Sequence, residues 1–78
     1  MISKAQLDDL VDPEKYRVVH DKSDDYWYLI DASDKSEQSI FSSIGCLIED
    51  VKREYNFKDM RQAFLFMAVS SMETAEGD

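Results

Sequence analysis

Two runs of β-branched and aromatic residues, Tyr16-Arg17-Val18-Val19-His20 and Tyr26-Trp27-Tyr28-Leu29-Ile30, flank the polar stretch Asp21-Lys22-Ser23-Asp24-Asp25. That pattern predicts a β-hairpin with a loop of about five residues. Bulky groups occupy both faces, because Tyr26, Tyr28 and Ile30 alternate with Trp27 and Leu29. One face should meet helices. The other is either partly exposed or covered by something else, since two strands alone are barely stable.

Helical spacing brackets the hairpin. Ser3-Lys4-Ala5-Gln6 fits a capping box, and Leu7, Leu10 and Val11 follow on one side. Pro13 stops that first helix, which should run over 4–11. A second helix is predicted to open at Asp34, with Ser36 as the alternative cap and Glu37 completing the box. Ile40, Ile44, Leu47, Ile48, Val51 and Tyr55 form its stripe, Phe41 lies at the edge, and Glu49 with Arg53 makes an i,i+4 pair. Asn56 should end it in a left-handed cap and begin a third helix, with Asp59 near the positive end. The third helix should run to Met72 or Glu73, leaving 74–78 as a frayed tail. The prediction is one α+β domain over 1–78, ordered over 3–73: α-β-β-α-α, a hairpin packed on a tight helix pair plus a short N-terminal helix.

Charge then narrows the function classes. Acidic residues outnumber basic ones 17 to 9, a formal net charge of -8. Such a surface repels phosphates and anionic lipid and attracts basic patches on other proteins. The chain is 44% hydrophobic and 12% aromatic, too apolar for acidic disorder. Lys52, Arg53, Lys58 and Arg61 come nearest to a basic patch, and they serve better to offset the field locally. Direct nucleic-acid binding is not expected. Cys46 stands alone, the N-terminus lacks an apolar leader, and the longest apolar run is Ala63 to Val69. These features predict a soluble, cytoplasmic chain without a membrane association.

Candidate chemistry is sparse. The Asp21–Asp25 loop lacks the glycine and terminal glutamate of a calcium loop, with Ala32 at the twelfth position. One histidine and one cysteine cannot make a zinc set. His20 reads as a strand-edge histidine, whose charged form Asp21 and Asp24 would favour if they approach it. Cys46 falls opposite the apolar stripe, where a thiol near carboxylates has no cause for reactivity. Gly45, costly inside a helix, marks the close approach of another element, such as a hairpin ring, in preference to a contact point for a partner. No phosphate loop, cofactor motif or catalytic pair stands out, so neither a cofactor nor enzyme activity is expected.

Recognition has two candidate surfaces. Asp8, Asp9, Asp12 and Glu14, then Asp21, Asp24 and Asp25, then Asp31, Asp34 and Glu37 all flank the hairpin. If they converge, Tyr16, Tyr26, Trp27 or Tyr28 would sit as anchors in an acidic field, although acidity also simply confers solubility. The third helix is the other. Phe57, Met60, Phe64, Met67 and Ala68 define its core stripe, with Met72 at the margin, while Phe66 points away and Leu65 and Val69 extend the second apolar side. The first helix, the hairpin, a second copy or a different protein could cover it. The sequence thus predicts a small acidic non-catalytic protein-binding module that occupies a partner's basic surface. In its stronger form it is a nucleic-acid mimic of the kind small phage-encoded inhibitors use, a comparison of charge and size alone. The alternative is a homo-oligomeric component, such as a homodimer, joined through the third helix.

Overall fold

The structure, a computed structural model, describes residues 7–76 and is an α+β arrangement of a three-stranded antiparallel sheet with helices. The order is α1 (Leu7–Leu10), β1 (Tyr16–Asp21), β2 (Tyr26–Asp31), β3 (Ser39–Ile44), α2 (Gly45–Glu54) and α3 (Met60–Glu76). The capping box at 3–6 lies outside the described residues. The predicted hairpin is present, one residue longer on each strand, with Val18 opposite Leu29 and His20 opposite Trp27.

One predicted element divides in two. The first half of the expected second helix is β3, paired with β2 so that Tyr26 faces Ile44 and Leu29 faces Phe41. Ser39, Ile40, Phe41, Ser42, Ser43 and Ile44 are β-branched, aromatic or hydroxyl-bearing, all weak helix formers. The hairpin also needs a third strand. Asp34 therefore caps no helix. Its backbone carbonyl accepts the Glu37 amide at 3.1 Å, and Glu37 adopts φ 54. The order is thus α-β-β-β-α-α. β3 runs into α2 with no intervening residue: Ile44 ends the strand and caps the helix.

The α2 terminus follows the sequence closely. Asn56 has φ 58, its amide donates to the Arg53 carbonyl at 3.4 Å, and Phe57 donates to Lys52 at 2.9 Å. That crossed pair closes the helix end. Arg53 pairs with Asp50, three residues back, rather than with Glu49. Asn56 does not open α3. Asp59 does, accepting the Gln62 amide at 2.8 Å. α3 then continues to Glu76, past the predicted stop.

The core gathers on one sheet face. Alternation puts Tyr16, Val18, Trp27, Leu29 and Phe41 together on it, and all belong to the core or pack against it. Phe64 of α3 lies at the centre, fully buried, with its ring 5.9 Å from Trp27 and 5.5 Å from Phe41. Leu65 and Val69 are not surface residues: both are buried, in one cluster with Leu7 and Val11, where α1 packs on α3. Phe66 is half-buried, 4.9 Å from Tyr55 and 5.3 Å from Phe57. Phe57 precedes α3, so Phe66 does not lie opposite it on the helix as the wheel positions imply.

Candidate protein-binding surface

The opposite sheet face carries Val19, Tyr26, Tyr28, Ile30, Ser42 and Ile44. None of them joins the core cluster. Tyr26 is 39% exposed, and its ring stacks on Tyr28 at 6.0 Å between centroids. Ile40, at the irregularity in the β2–β3 ladder, is 46% exposed. Tyrosine suits such a face because the ring supplies apolar area and the hydroxyl stays hydrated. Trp27 does not join this face. It lies on the inner side, stacked 4.3 Å from His20, and its buried indole Nε1 has no hydrogen-bond partner among the described residues.

The carboxylates occupy both ends of the tyrosine face. Asp21 ends β1 and Asp24 and Asp25 lie in the turn after it, while Asp31 ends β2 and Asp34 and Glu37 lie in the connection to β3. Strands of this length separate the two ends by roughly 20 Å. Ionic screening acts over about 8 Å at physiological salt, so the groups are two local fields and not one convergent patch. Glu37 meets Arg17 at 3.5 Å, an exposed pair of little energetic weight.

Three of these aspartates are held by a repeated local device. In Asp21-Lys22-Ser23, Asp31-Ala32-Ser33 and Asp34-Lys35-Ser36 the carboxylate accepts both the amide and the hydroxyl of the serine two residues on, at 2.6–3.0 Å. The serine hydroxyl and then its amide lower the pKa of each aspartate below the ordinary carboxylate value. Partial desolvation opposes this in all three, and the neighbouring Asp31 charge opposes it at Asp34. A lowered folded pKa stabilises the fold above the ordinary carboxylate range, and that contribution disappears as pH falls through the lowered values. Carboxyl-carbon NMR titration should find these three below free aspartate. Ser→Ala at 23, 33 and 36 should return each towards the ordinary value, and unchanged midpoints would remove the explanation. The repeated Asp-x-Ser triplet was visible in the sequence and is the signal that charge counting passes over.

Asp25 has a different position. It adopts φ 55, its carbonyl accepts the Gly45 amide at 2.8 Å, and its carboxylate meets His20 Nε2 at 3.0 Å. The carboxylate on His20 is thus Asp25, not Asp24. Gly45 does mark a close approach, as its sequence position implied, but the approaching group is that carboxylate and not a ring. Cys46 is exposed on α2.

A concavity of about 540 Å³ opens between β3, α2 and α3. Phe41, Val51, Tyr55, Phe66 and Met67 give it apolar walls, and Glu54, Ser70 and Ser71 also line it. Of these only Phe66 was singled out from sequence as a contact residue. Among the described residues, no group of three or more His, Cys, Asp or Glu side chains is placed to hold a metal ion. No described helix is long and apolar enough to cross a membrane.

No protein-family model matches the chain, and no curated protein or solved structure matches it significantly.

Proposed function

We propose that this chain is a non-catalytic module that binds a basic surface of another protein through the outer sheet face. The observation that carries the reading is the stacked Tyr26–Tyr28 pair outside the core, with carboxylates fixed in turns at both ends of its strands. Rigid aromatic anchors supply contact area at low entropic cost. Acidic ends steer a cationic partner and reject nucleic acid and other acidic proteins. Nucleic-acid mimicry is the special case in which the partner's basic surface is a DNA- or RNA-binding one. Displacement by an unrelated duplex would identify it.

Affinity capture from the native host tests the reading. Captured proteins should be basic, should be lost as salt rises, and should bind the Tyr28→Ala variant about tenfold more weakly, as expected for a central aromatic anchor. Capture that is insensitive to both salt and Tyr28→Ala would sink it.

The second reading, a homo-oligomer built on the third helix, draws on the groove beside Phe66. It loses Leu65 and Val69, which the chain itself buries. A monomer at micromolar concentration in sizing chromatography would end it.

A further inference from the structure

We infer that the free edge of β3, with the groove beside it, accepts an extended segment of the basic partner as an added strand. This rests on the proposed reading and specifies how the partner engages. β3 and β1 are the two edges of the sheet. β1 carries Arg17 and Asp21, charged side chains of the kind that usually guard an edge. β3 carries no ionisable residue and no proline, in a chain that is 33% charged. The ladder irregularity at Ile40 leaves Phe41–Ile44 as the regular part of the edge.

The groove gives that edge selectivity. Phe41 is the β3 residue that also lines it, opposite Val51, Tyr55, Phe66 and Met67. Alternate side chains of an added strand point to opposite faces. One set would enter the apolar groove and the other would lie beside Ser42 and Ile44, next to the tyrosines. Backbone pairing with a pocket for alternate side chains is an established mode of peptide capture.

Charge decides between a second copy and a basic segment. In a two-fold antiparallel β3–β3 pair, the Glu37 end of one copy meets the Ile44–Gly45 end of the other, where Asp25 lies. Two bodies of net charge -8 would place carboxylates against carboxylates at both ends. A strand with basic residues on either side of apolar ones meets opposite charge at both ends, and Glu54 at the groove adds a third acidic contact. The occupant is therefore an extended, lysine- or arginine-flanked segment with apolar residues at alternate positions.

The test uses the whole chain and the synthetic peptide Lys-Lys-Thr-Leu-Thr-Leu-Thr-Lys-Lys, with two counterparts. One has proline at the threonines, which removes backbone donors and keeps the charge. The other has glutamate at the lysines. The first peptide should bind, slow amide exchange at Phe41–Ile44 and shift the Phe66 ring resonances, while both counterparts bind at least about tenfold more weakly. Equal binding of the proline peptide, with shifts confined to Tyr26 and Tyr28, overturns strand addition and leaves the proposed face standing. No binding by the first peptide, while salt-sensitive capture of host proteins persists, has the same meaning. Equal binding of the glutamate peptide overturns the basic partner itself. Protection of Phe41–Ile44 by self-association without peptide assigns the edge to a second copy.

Discussion

Phe64→Ala should remove most of the stability of this fold. The ring is fully buried and joins the two halves of the core, touching Trp27 on β2 and Phe41 on β3 from α3. Truncating a buried phenylalanine costs about 3–5 kcal/mol, from lost transfer energy and the cavity left behind. Two tilted aromatic pairs disappear with it, each adding about 0.5–1.5 kcal/mol beyond area burial. A chain of 78 residues has roughly 4–12 kcal/mol in total. The variant should therefore sit near the unfolding threshold at 25 °C. Urea titration followed by the Trp27 emission measures it, Trp27 being the single tryptophan. A loss below about 1 kcal/mol would mean that the core is not organised around this ring.

Gly45→Ala should destabilise, against the usual helix rule. Alanine in place of glycine ordinarily gains up to ~1 kcal/mol in a helix. Here the added methyl would fall within the Asp25 carboxylate, and that group is held by His20 and by a left-handed backbone. Moving this exposed carboxylate breaks the His20 contact, so the helix gain should be offset and a net loss of up to about 1 kcal/mol is expected. The decisive measurement is a double-mutant cycle. Asp25→Gly removes the carboxylate and suits φ 55, so Gly45→Ala made on that background should be neutral or stabilising. Additive effects would show that the two positions do not meet.

The hairpin and the α2 terminus were legible because their signals are local: dense β-branched and aromatic runs, and one asparagine where a left-handed residue was needed. β3 was not, for a reason carried by two isoleucines. A spacing of four places Ile40 and Ile44 on one side of a helix and, equally, on one side of a regular strand. The serines between them and the hairpin's need for a partner decide the case, and the second of these is a tertiary demand. Leu65 and Val69 posed the same difficulty. Their apolar character was plain, but that they face inward depends on tertiary packing, in one cluster that includes Leu7 and Val11. The tyrosine face was half legible: alternation predicted two bulky sides, while the register that places Trp27 inside and Tyr26 and Tyr28 outside needed the helices in position.

The direct join of β3 to α2 has a mechanical consequence. With no slack between Ile44 and Gly45, and with the Gly45 amide tethered to the first turn of the sheet, strand and helix move as one lever. Any force that tilts the outermost strand must swing the helix and change the width of the cleft beneath it.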